Sequence, residues 1–188
     1  MRSHILVSLV ALAVAAQACC CCTILGGPQP PYTITPSDEA VRRFEERMAE
    51  AEQNASGVVT ITVTEEEMTS LLAQAIARQE ESSPISEPQV HFRDGCVEVY
   101  GTVQMADSLA LPGMVAFSVT VTDGALDVTV EEVAVGPLPV PESALQSLTE
   151  VINQTIAKNV RVGGVEATIT DVQIGAGEMT VTGKPGSN

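Results

Sequence analysis

The 188-residue chain contains no tryptophan, three phenylalanines and two tyrosines. So few rings argue against a base-stacking nucleic-acid surface and against an aromatic sugar platform. A core must come from Val, Leu, Ile and Ala. Basic residues are also scarce: nine Lys and Arg stand against 24 Asp and Glu, a net charge of −15. Phosphate backbones need Lys and Arg, and anionic lipid surfaces need polybasic segments, so neither is an expected partner. The acid reads as solubility and solvated faces. Its longest run is Glu65-Glu66-Glu67, which suits a helix start, by capping and solvation, better than acid–base work.

Histidine occurs twice. His4 falls in an N-terminal leader, so His91 stands alone in the body of the chain. It is expected on a wet sheet face opposite Glu98 and near Cys96, with no third group to complete a nucleophilic site. No Walker loop, dinucleotide fingerprint or HExxH occurs. The chain reads as non-enzymatic, without cofactor or metal. Four of its five cysteines form one run, Cys19 to Cys22. That run lacks the spacers and His partners of a metal site, and with Cys96 it builds no internal disulfide framework.

What is present begins with a leader. Arg2 is followed by an apolar stretch, and Ala16-Gln17-Ala18 precedes Cys19, a small-x-small cleavage pattern. Residues 1–18 resemble a bacterial lipoprotein signal, with Cys19 as the lipidated residue. The rival readings are an uncleaved anchor and plain secretion: Ile5 to Gly27 carries no charge and is long enough to span a bilayer. Residues 19–36 hold the Cys run and a Pro-rich stretch, expected to be a semi-rigid spacer. Residues 37–57 are expected to carry a surface helix, capped by Thr35 with Pro36 in its first turn and striped by Val41, Phe44, Met48 and Ala51.

Residues 58–183 form the expected α+β domain, and 184–188 a tail. Val58 to Val63 alternates like a strand. Thr64 then caps a helix, with Glu67 as capping-box partner. Met68, Leu71, Leu72, Ala75 and Ile76 keep helical spacing. Gln89 to Val135 reads as two hairpins turning on Asp94-Gly95 and Asp123-Gly124, because Asp-Gly supplies the positive φ of a two-residue turn. The first pairs Phe92 with Val97 and Val90 with Val99. The second pairs Val121 with Leu126, Val119 with Val128 and Phe117 with Val130. Apolar parity then shifts, placing a β-bulge at Glu131-Glu132. Met105 to Gly113 is expected to be an apolar loop, serving contact or burial. Pro141 to Asn159 is a second amphipathic helix, with Leu145, Leu148, Ile152 and Ile156 on one face. A last pair sets Ile174 opposite Met179 and Val172 opposite Val181. The expected fold is one curved antiparallel sheet of about six to seven strands on two amphipathic helices.

By periodicity, the Val-rich sheet face either makes a closed core with those helices or leaves an apolar groove for an acyl chain. The stretches Thr62 to Ile76, Pro88 to Val103, Val121 to Leu148 and Val181 to Lys184 resemble the LmeA-like and YpmS-like proteins of the bacterial envelope. The resemblance covers most of Val58 to Gly183 and leaves out the Cys run and the helix at Pro36 to Asn54. It implies a fold similar to the tubular lipid-binding type and a phospholipid or fatty acyl ligand. The candidate lining residues are Leu72, Ile76, Val99, Phe117, Val119 and Ile152. The expected place is the extracytoplasmic face of a bacterial cell membrane. The alternative is an envelope scaffold or assembly factor, docking an unknown protein partner through a sheet edge or the 105–114 loop.

Overall fold

The computed structural model describes residues 26–53, 57–78, 85–106, 109–137, 140–143, 146, 149–150, 153, 161–162 and 165–185. The elements run α1 (Asp38–Gln53), β1 (Val59–Thr64), α2 (Glu65–Ala77), β2 (Ile85–Arg93), β3 (Cys96–Ala106), β4 (Leu109–Thr122), β5 (Ala125–Val135), β6 (Arg161–Val162), β7 (Val165–Ile174) and β8 (Glu178–Pro185). The class is α+β and every strand pairing is antiparallel. The strands divide between two sheets instead of forming one. The larger has the order β2-β3-β4-β5; the smaller runs β1-β8-β7, with two-residue β6 beside β7.

Both Asp-Gly turns form. Gly95 and Gly124 take φ of 80°, and Asp123 takes 52°. The register follows the apolar alternation: Phe92 faces Val97, Val119 faces Val128, and Phe117 faces Val130. Ala116 pairs with Glu132 while Phe117 pairs with Val130, so Glu131 is the extra residue of the expected bulge. Most of the expected Met105 to Gly113 loop is strand: Met105 and Ala106 belong to β3 and Leu109 to Gly113 to β4, pairing Gly101 with Gly113, Val103 with Leu111 and Ala106 with Leu109. Leu109 and Leu111 alternate along β4, which is strand periodicity. Lys184 and Pro185, expected in a loose tail, belong to β8.

The smaller sheet closes one end of the larger. The Gly95 amide donates to the Ile174 carbonyl (2.9 Å), the Gly177 amide to Phe92 (3.3 Å) and the Ile169 amide to Gly124 (2.7 Å). The buried core, Val63, Val90, Phe92 and Val97, lies behind these ties, with Phe44, Met68, Leu72, Val99, Phe117, Val119, Ile174 and Met179 packed on it. Helix α1 is capped two residues later than expected. Ser37, not Thr35, accepts the Ala40 amide (3.1 Å). Val41 is buried and Phe44 meets the core, so the expected stripe is the one used.

Each outer edge of the larger sheet is sealed by helix side chains. On β2, the amides of Phe92 and Val90 donate to the Glu65 carboxylate (2.7 Å) and the Thr69 hydroxyl (2.9 Å). On β5, the Val130 amide donates to Thr149 (3.1 Å), and Asn153 accepts from the Val128 amide and donates to its carbonyl (both 2.8 Å). Thr149 and Asn153 are helical. The apolar positions expected for that helix, Leu145, Leu148, Ile152 and Ile156, lie outside the described residues.

Candidate functional site

The site begins with a segment expected to be a spacer. Residues 27–36 lie instead across the polar face of the larger sheet. Gln89 explains how an irregular chain can stay there: its side chain accepts the Ile34 amide (2.6 Å) and donates to the Ile34 carbonyl (3.0 Å). Tyr32 sets its ring edge-on to His91 at 4.6 Å and its hydroxyl donates to Glu65. Gly27 sits so close that a Cβ there would fall 2.5 Å from Pro112 Cγ and 2.9 Å from Gly136 Cα.

Between this strap, α2 and the sheet lies a cleft of about 640 Å³. Pro28, Ile34, Ala73, Ile76, Pro88 and Tyr100 give it an apolar lining, while Thr33, Glu87, Gln89 and Thr102 add polar groups. Glu87 takes φ of 51°, uncommon outside glycine. It stands where the β2–β3 register shifts, between Ser86 and Gln89. The resulting bulge re-aims the strand at the cleft lip. A smaller cavity of about 160 Å³ lies among Met48, Val59, Ile61, Leu126, Ile169 and Val181.

The strap changes the chemistry of the face beneath it. His91 is not on a wet face; it is 1% exposed. The rings of Tyr32 and Tyr100 flank it, and neither of its nitrogens has a hydrogen-bond partner. Glu65 approaches Nδ1 to 3.8 Å, beyond hydrogen-bonding reach. Burial therefore outweighs the pull of Glu65 and holds the imidazole pKa below its ordinary value, leaving the ring neutral near pH 7. Tyr100 is pushed up, first by burial and then by its bond to Glu98. Burial also raises the Cys96 thiol, which disfavours the nucleophilic thiolate.

The three-glutamate run divides its work. Only Glu66 is exposed. Glu67 completes the capping box with Thr64 and binds Arg47 at 2.6 Å. Burial pushes its carboxyl up, but Arg47 and the Thr64 amide outweigh that and hold it below the usual range. Glu65, buried, receives the Phe92 amide and the Tyr32 hydroxyl. Of the capping and solvation expected of the run, Glu67 caps and Glu66 is solvated, while Glu65 does neither.

A cleft of this size falls in the usual range for small-ligand sites. The profile of a family described as LmeA-like phospholipid-binding matches residues 35–184. The chain belongs to the LmeA-like phospholipid-binding family. The match starts before α1, so that helix is part of the family domain and not an addition to it. No curated protein matches the chain.

Of the candidate lining residues in this LmeA-like chain, Ile76 lines the cleft. Leu72, Val99, Phe117 and Val119 lie elsewhere, half-buried against the core on the sheet's apolar face. Ile152 and Cys19 fall outside the described residues, as does the whole leader. Among the described residues, no helix is long and apolar enough to cross a membrane. Sequence reading missed Tyr32, Ile34, Gln89 and Tyr100. Tyr32, the one aromatic in the Pro-rich stretch, is the signal that the stretch has something to pack against.

Proposed function

We propose that the chain binds a phospholipid or fatty acyl ligand without chemical conversion, seating its apolar part in the cleft beside Ile76 and Tyr100. The cleft of about 640 Å³ in a member of a phospholipid-binding family carries this reading. Mixed lining suits an amphiphile: Ala73, Ile76 and Ala77 for the chains, Gln89, Thr33 and Thr102 for the polar end. The driving force is burial of apolar area, about 0.8 kcal/mol per CH₂. Lipidation at Cys19 and a position at the extracytoplasmic face of a bacterial membrane belong to the same proposal and rest on the leader sequence.

Native mass spectrometry of the full chain released from detergent, followed by lipid extraction, tests it. Wild type should carry stoichiometric phospholipid, and Ile76→Asp should lose it while keeping its thermal transition. The half-buried strip of Val99, Phe117 and Val119 supports a second seat on the opposite face. Loss in Phe117→Asp with retention in Ile76→Asp would move the ligand there. A lipid-free wild type that also ignores added fatty acid sinks both seats and favours the protein-scaffold alternative. That alternative has little use for the edges of the larger sheet, whose amides at Val90, Phe92, Val128 and Val130 are already bonded.

A further inference from the structure

The two ends of the larger sheet differ. One is closed by β7 and β8. At the other, Ile85 opens β2, Met105 nears the end of β3 and Leu109 opens β4. Register makes them neighbours, since Ile85 pairs with Val103 and Leu109 with Ala106. They are 43%, 51% and 41% exposed, three of the five large exposed hydrophobics among the described residues. Lone exposed apolar side chains need no explanation, but contiguous ones mark contact sites.

We infer that this open end is a membrane-docking tip, with Ile85, Met105 and Leu109 seated in the interfacial layer of a lipid bilayer. Three observations choose a bilayer over another protein. First, the chain enters the domain here: Gly27 rests on Pro112 and Gly136, and the uncharged stretch Ile5 to Gly27 leads into that point. Second, the cleft extends to the same end, for Ser86, Thr102 and Pro112 line it, so a lipid leaving the bilayer would have a short path to it. Third, three side chains are too few for a stable protein interface, which needs about 800 Å² per partner. Arg78 adds a cation beside cleft-lining Ala77. Unlike Arg42, Arg43, Arg47 and Arg93, it pairs with no described carboxylate. With net charge −15, docking is apolar and needs no anionic lipid.

The inference builds on the lipid reading of the cleft, yet the two fail separately. Because the chain lacks tryptophan, Met105→Trp introduces a single indole at the tip, and Ala125→Trp places one at the closed end. The full-length variants are reconstituted in phosphatidylcholine vesicles with or without bromine on the acyl chains. Met105→Trp should emit at shorter wavelength and lose much of its intensity to brominated lipid, while Ala125→Trp stays unquenched. If Met105→Trp misfolds, Leu109→Trp serves the same purpose. Equal quenching at both ends, or none at the tip, overturns the inference. So does a blue-shifted, unquenched tip with self-association in sedimentation, which would make a second copy the occupant. A quenched tip on a chain with no extractable lipid upholds docking and rejects the cleft as ligand site.

Discussion

The two edges of the larger sheet are closed by one geometry and two chemistries. Four residues of helix rise about 6 Å, close to the length of two strand residues. Helix residues i and i+4 can therefore meet alternate amides of an edge strand. Glu65 and Thr69 do so on β2; Thr149 and Asn153 do so on β5. Both pairs run antiparallel to the strand they seal. Unpaired edge amides invite another chain, and both seals remove that invitation. The β2 seal, however, is buried and carries a carboxylate, whereas Thr149 and Asn153 are neutral and half-buried. A buried carboxylate cannot leave without orphaning the Phe92 amide and the Tyr32 hydroxyl. Water can stand in for a half-buried amide. The β2 edge is thus a fixed wall, and the β5 edge is the side able to open.

Three substitutions can break or sharpen that contrast. Glu65→Ala carries the largest expected loss, about 3 kcal/mol, because it removes charge-assisted bonds and leaves a buried donor unpaired; urea unfolding measures it. Asn153→Ala should cost less, about 1–2 kcal/mol. Its distinctive sign is faster hydrogen exchange at the Val128 amide, with Val90 and Phe92 still protected. Equal losses at both edges would erase the distinction drawn here. The smallest effect is pH-dependent and belongs to the β2 side. His91 has a folded pKa below its unfolded value of about 6.5. The unfolded chain therefore binds the proton first. The His91 contribution is fully present above about pH 6.5 and is lost as pH falls through the folded pKa. His91→Phe keeps a ring between Tyr32 and Tyr100 and should flatten stability between pH 7 and 5, read from urea midpoints. An unchanged acid limb would show that His91 is not the titrating group.

How much of this was legible depends on range. Hairpin registers follow from Asp94-Gly95 and Asp123-Gly124, the bulge at Glu131 from a parity change, and the α2 cap from Thr64 and Glu67. All are relations among residues a few positions apart. The strap was not legible. Ile34 and Gln89 are 55 positions apart, and Tyr32 and Glu65 are 33 apart. Gln89, His91 and Glu98 alternate as a solvent face does, and no local pattern distinguishes water from a proline-rich segment held by hydrogen bonds. The same blindness made Glu65 look solvated. It also put the candidate lining on the apolar face, where alternation is clear, and caught the cleft only through Ile76.

Hairpin tips are usually where a chain gains and loses residues most freely. Here the two Asp-Gly tips are anchored. Gly95 and Gly124 are bonded to β7, and a Cβ on Gly124 would fall 2.7 Å from the Thr168 methyl. Insertions at these tips should be the rarest length changes among related chains, and a reporter peptide spliced there would pry the two sheets apart.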